Sequence, residues 1–222
     1  MARIAVFGAG GTIGSAVVEE AAARGHRVTA VVRTPSRLDP ARFAGRPGEV
    51  SVEAGDVLAP ADVARVAAGQ DVLVSAVGGG DGAGHRALIE PAARALVEGL
   101  RGLGGEAPRL LAVGGAGSLE TAPGVRVWDA PGLPEAVLQI MHAHGDALDY
   151  LRTVVDVRWT VLSPAAHIGP GPRTGRYRTG LEQLLTDAEG QSRISVPDYA
   201  VALVDEIEQP EHIGERFTCC AL

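Results

Sequence analysis

The sequence predicts an α/β domain built on a doubly wound parallel sheet, and three observations carry that expectation. Short apolar runs alternate with amphipathic stretches of helical period along the whole chain. Several of those runs are nearly continuous Val, Ile, Leu and Ala, which suits strands covered on both faces. The first run ends in a cluster of glycines that opens a helix.

Strand-like segments fall at residues 3–8, 27–33, 50–54, 71–77, 109–114, 159–163 and 216–220, with helical patterns at 13–24, 60–68, 85–101, 134–154 and 198–208. Alternation of this kind with short connections points to right-handed crossovers. No repeat, low-complexity tract or linker divides the 222 residues, so a single domain over residues 1–222 is expected. Hydrophobic residues make up 46% of the chain and aromatic ones only 4%, which favours helices packed closely on a sheet over an aromatic-cored sandwich. Two stretches, at about 115–133 and 164–180, break the alternation; both are rich in Gly and Pro and both follow late strands. Ligands bind at the carboxyl edge of such sheets, so both stretches are expected to cover a substrate.

Charge and composition exclude several classes. The net charge is −7 and no basic run exists, which disfavours nucleic acid as a partner. Lysine is absent altogether, so a Schiff base, a Walker lysine and a Tyr-x-x-x-Lys pair are impossible. Cys219 and Cys220 are adjacent; two thiols alone hold no metal, and both read as small apolar residues on a last strand. No apolar stretch is long enough for a membrane span, and Met1 is followed at once by a strand, leaving no room for a signal peptide. A cytoplasmic location is therefore expected.

The run Gly8-Ala9-Gly10-Gly11-Thr12-Ile13-Gly14 joins the first strand to the first helix. Gly8 allows a tight turn, Gly11 lets the backbone approach a pyrophosphate, and Gly14 lets the helix lie close to the strand. Free N–H groups at the helix start then face the phosphates. Where the second strand ends, an NAD-specific chain carries Asp or Glu for the ribose diol; here Arg33 stands, with Arg37 nearby, and invites a 2′-phosphate. The expected cofactor is NADP(H) in preference to NAD(H). Asp56, beside Val57 at the end of the third strand, suits either a hydrogen bond from the adenine amino group or a cap on the following turn.

These residues resemble the atypical branch of the short-chain dehydrogenase/reductase superfamily, whose Rossmann fold the resemblance implies. The spacing of Gly8, Gly11 and Gly14, the dipeptide Gly55-Asp56, and Ala76-Val77-Gly78-Gly79 after the fourth strand all match that branch. Within it the chain is similar to the NAD(P)H-binding reductases related to flavin reductase and biliverdin-IX-beta reductase. That likeness is carried by Gly114-Gly115-Ala116-Gly117-Ser118-Leu119, by Ser163-Pro164-Ala165-Ala166-His167-Ile168-Gly169, and by Ile194-Ser195 with Asp198-Tyr199-Ala200. The resemblance implies a hydroxyl near the nicotinamide at Ser118, and acceptor or cofactor contact at His167; equally, Ser118 suits stabilising the Gly-rich turn and His167 fixing its loop.

One departure decides the chemistry. Counting back from Trp159, Leu138 falls near the Tyr slot of dehydrogenase members and His142 near the Lys slot; Tyr150 is followed four residues on by Val154. Ordinary carbonyl reduction lacks its general acid. A flat conjugated acceptor such as a flavin or quinone needs less from the protein: orientation, exclusion of water, and a proton from solvent. Trp128 and Tyr177, the large rings of the two long loops, suit either stacking on it or anchoring their loops in the apolar interior. His142 and Asp146, four apart on one helix, read as an exposed helix pair more readily than as a general base. The leading expectation is an NADPH-dependent reductase acting on a small-molecule acceptor. A non-catalytic dinucleotide sensor remains open, as does a sugar-nucleotide epimerase or dehydratase.

Overall fold

The computed structural model describes residues 1–222. Its strands are β1 (Arg3–Phe7), β2 (Arg27–Val32), β3 (Glu49–Ala54), β4 (Val72–Ser75), β5 (Arg109–Val113), β6 (Glu120–Ala122), β7 (Val125–Arg126), β8 (Trp159–Ser163), β9 (His167–Gly169), β10 (Tyr177–Gly180), β11 (Arg193–Ser195) and β12 (Glu215–Ala221). The helices are α1 (Thr12–Ala23), α2 (Pro60–Ala67), α3 (Gly82–Arg101), α4 (Glu135–Arg152) and α5 (Val196–Glu208).

The expected doubly wound sheet is present, in the order β10-β12-β8-β5-β4-β1-β2-β3. Seven strands run parallel, and β10 closes one edge antiparallel to β12. Side chains alternate between two cores, as the period of a strand requires. Ile4 and Val6 of β1 enter a core with α1 and α5, while Ala5 and Phe7 enter the other with α2, α3 and α4. Burial on both sides is the physical reason that these strands read as continuous apolar runs.

One connection departs from the expected handedness. The steps β4→β5, β5→β8 and β8→β12 move across the sheet in one direction, yet α3 and α4 lie on one face and α5 on the other. The last crossover therefore has the opposite hand to its neighbours. It includes the long excursion through β9, β10 and β11, which gives the chain enough length to change faces.

The two stretches expected as loops carry short strands of their own. β6 and β7 pair antiparallel within the first stretch. In the second, β9 pairs with β11 and β10 joins the main sheet. Asp198, buried in the first turn of α5, holds this second stretch in place: its carboxylate accepts hydrogen bonds from the Thr174 and Gly175 amides and from the Thr174 hydroxyl at 2.6–2.8 Å.

Candidate functional site

The strand order reverses between β1 and β4, and a cleft of about 740 Å³ opens there. In open α/β sheets this reversal is the ligand-binding position, because the loops that follow neighbouring strands diverge to opposite faces. Phe7, Gly8, Gly10 and Gly11 line the cleft from β1, Arg33 and Arg37 from the end of β2, Asp56 and Val57 from the end of β3, and Ala76, Val77 and Gly78 from the end of β4.

The turn between β1 and α1 is shaped by two close approaches. Gly8 has φ +79°, and a Cβ there would collide with the Ala76 carbonyl. A Cβ on Gly14 would collide with the Gly8 carbonyl, so only glycine lets the helix sit this near the strand. Helix α1 begins at Thr12 with no side-chain cap and no acidic residue in its first turn, which leaves the Thr12, Ile13 and Gly14 amides for a ligand. By contrast α3 and α5 are capped by Asp81 and Ser195. An uncapped helix start above a roomy cleft fits a diphosphate.

Charge follows the same logic. Arg33 and Arg37 are exposed on the cleft wall and make no ion pair, whereas Arg24, Arg65, Arg109 and Arg173 are each committed to carboxylates. Asp56 accepts a hydrogen bond from the Leu58 amide at 3.0 Å through one oxygen, so it caps the turn after β3, and it also lines the cleft. Phe7, Val31, Val32, Thr34, Leu38, Leu58 and Leu88 line the cleft as well, without having been singled out in the sequence. Most of them flank residues that were; Leu88 comes from α3, and no local pattern marks it.

The other candidate residues lie elsewhere. The Ser118 hydroxyl accepts a hydrogen bond at 3.1 Å from Arg216, a buried guanidinium also paired with Glu182. His167 is exposed on β9 and borders a separate pocket of about 450 Å³ with Arg176, Arg193 and Ser195. Trp128 lies against α4, its ring 4.7 Å from that of His142. The Tyr177 hydroxyl bonds to Asp205 of α5, which points it into the α1–α5 layer and pushes its pKa up through burial and that contact. His142 and Asp146 do not pair: His142 meets Trp128, and Asp146 faces Arg86 at 3.7 Å.

Two histidines without a sequence signature sit past the Gly78 end of the cleft. His85, on the first turn of α3, donates from Nδ1 to the Asp81 carbonyl at 2.8 Å. His144, on α4, has its ring 5.7 Å from that of His85 and packs against Gly115 after β5. Burial, reinforced by the neighbouring His85, lowers the His144 pKa from 6.5 to about 4.

A doubly wound sheet with an uncapped, glycine-led helix at its reversal point defines a dinucleotide-binding Rossmann protein. The family model described as NAD(P)H-binding matches residues 8–207, and the chain belongs to that family. A "putative exported protein" from Burkholderia pseudomallei is 45% identical, with a TM-score of 0.86 and 99% of this chain and 100% of that one covered. A "putative epimerase" from Bacteroides thetaiotaomicron is 38% identical, with a TM-score of 0.86 and coverage of 100% and 97%. SP1627, a "putative NADH-flavin reductase" from Streptococcus pneumoniae TIGR4, is 34% identical, with a TM-score of 0.84 and full coverage of both chains. A nicotinamide cofactor follows from the family. No helix is long and apolar enough to cross a membrane.

Proposed function

We propose that this chain is an NADPH-dependent reductase of a flat conjugated acceptor of the flavin or quinone class. The observation that carries the reading is the pair of unpaired guanidiniums, Arg33 and Arg37, where an acidic residue would bind the free ribose of NAD. The ends of β2 and β3 would hold the adenosine end, with Arg33 and Arg37 placed to take its 2′-phosphate. The α1 amides would hold the pyrophosphate, and Ala76, Val77 and Gly78 would border the nicotinamide end. When bound, the cofactor supplies hydride. The protein's own task is orientation and exclusion of water, because the chain has no Lys and therefore no Tyr-x-x-x-Lys pair.

In this reading the stretches 115–133 and 164–180 border the acceptor. Ser118 shapes the turn after β5 through Arg216, His167 belongs to the second stretch, and Trp128 backs α4. Tyr177 acts through its anchorage to Asp205 and not by stacking. A cytoplasmic location belongs to the same proposal and agrees with two buried free thiols, Cys219 and Cys220. Capture of Ser118 by Arg216 also favours a second reading, a dinucleotide sensor that binds without turnover.

One experiment separates them. NADPH and NADH are titrated calorimetrically, and NADPH oxidation is then followed against flavins, quinones and small carbonyls. Turnover with flavin or quinone and tighter binding of NADPH are expected. Tight binding without turnover on any acceptor would leave the sensor, and equal affinity for the two cofactors would remove the role given to Arg33.

A further inference from the structure

We propose that His144 is a catalytic residue of this reductase: its neutral imidazole donates an N–H hydrogen bond to the acceptor's carbonyl oxygen, beside the ring of His85. The inference rests on the reductase reading above.

Placement comes first. The cleft runs from Arg33 to Gly78, and His85 stands at its far end, where a Cβ on Gly78 would lie 3.6 Å from Nε2. His144 comes next, on the helix that follows β5. A Cβ on Gly115 would lie 2.9 Å from that of His144, so the missing side chain is what allows α4 to bring the ring down onto the sheet edge. A cofactor laid along the cleft therefore ends beside these two rings, with the acceptor against it.

Unmet hydrogen bonding is the second observation. The His144 ring makes no hydrogen bond within the protein; His85 is its ring neighbour, and a cavity of about 30 Å³ lies alongside. Beside the preceding residue, Gly114, the Ser163 hydroxyl is buried without a partner, 3.0 Å from where a Cβ would be. Buried polar groups are nearly always satisfied, and the Ser163 hydroxyl is not; with the unpartnered His144 ring on the other side of the same glycine dipeptide, at the carboxyl edge of the sheet, it indicates a ligand with oxygen to offer.

Protonation decides what His144 can do. Its low pKa keeps it neutral at physiological pH, so it donates one N–H and carries no charge. The groups around it are His85 on α3, and further out the Arg86–Asp146 pair and His142 against Trp128. Because His85 gives its Nδ1 proton to the Asp81 carbonyl, its Nε2 presents a lone pair toward this end of the site when the ring is neutral. Hydride entering a conjugated carbonyl acceptor brings two electrons, and negative charge settles on the carbonyl oxygen. Solvent then supplies one proton to that oxygen, and the cofactor departs oxidised. A fixed neutral donor stabilises the developing charge, and it does so without repelling a cationic nicotinamide.

The test uses the full-length protein with ring nitrogens labelled. Saturating NADP⁺ is added first and the quinone menadione second, so that no turnover occurs. The His144 ring signals are expected to shift on addition of menadione. His144→Phe should lower kcat for menadione about 10²-fold while NADPH affinity stays within twofold, and His144→Asn, which keeps a neutral N–H donor, should recover most of the loss. For the native protein kcat should be level from pH 5.5 to 8. Unmoved His144 signals in a protein that turns menadione over, or a His144→Phe enzyme with native kcat, would overturn the proposal while leaving the reductase reading intact. A native protein that binds no NADPH would overturn both.

Discussion

At the scale of single residues, function turns on which charged groups are committed and which are free. Arg173 is spent on Glu20 and Arg109 on Glu206, whereas Arg33 and Arg37 face the cleft unpaired. A charge-assisted hydrogen bond to phosphate contributes ~1.5–3 kcal/mol, so Arg33→Ala should weaken NADPH roughly tenfold and leave NADH nearly unchanged. Calorimetric titration of both cofactors against both proteins checks this. Arg33 could be read from the sequence because it ends a strand at a known distance from the glycine turn. His144 could not: three of the six histidines lie at 142, 144 and 167, and only packing tells which of them reaches the end of β5.

At the scale of elements, the β1–α1 turn separates glycines that shape the fold from those that admit the ligand. Gly14→Ala places a methyl group against the Gly8 carbonyl and should destabilise the domain by about 1–3 kcal/mol, seen as a lower Tm. Gly11 has an extended backbone, and a Cβ there would sit 3.3 Å from the Gly8 oxygen, so the fold can yield by a few tenths of an ångström. Gly11→Val should therefore melt closer to native yet lose cofactor binding; a Gly11→Val protein that binds normally would show that the diphosphate lies elsewhere. The segment before α5 makes a similar point. Asp198→Ala strands the Thr174 and Gly175 amides, which should cost roughly 1–3 kcal/mol, while NADPH affinity holds because Asp198 lies outside the cleft. A thermal melt alongside a cofactor titration separates the two effects.

At the scale of the whole molecule, stability should fall with acid in two stages. His144 has a folded pKa of about 4 against an ordinary 6.5, so below pH 6.5 the unfolded chain takes up a proton that the folded one refuses. Stability contributed by its neutral form is present above that pH and declines as pH drops from 6.5 toward 4. Glu20, held low by Arg173 and Arg24 against its burial, and Asp71, held low by Arg3, contribute above the ordinary carboxylate range; their share is lost as pH falls through their depressed folded values. Chemical denaturation at a series of pH values should show the first stage, and His144→Phe should remove that stage alone. A native profile level down to pH 5 would contradict the burial assigned to His144.

The seven parallel strands, the five helices and the glycine turn were all legible in the amino-acid order, because each depends on local periodicity and on backbone freedom at particular residues. Arg33 and Asp56 belong to the same class, being placed by strand ends that periodicity marks. The rest was decided in three dimensions. Ser118 was drawn to Arg216, Tyr177 to Asp205 and Trp128 to α4 by partners 98, 28 and 14 or more residues distant, and α5 crossed to the face of α1. The physical reason is that buried charges and rings take whichever partner the packed layers bring within reach, and a linear pattern carries no record of that distance.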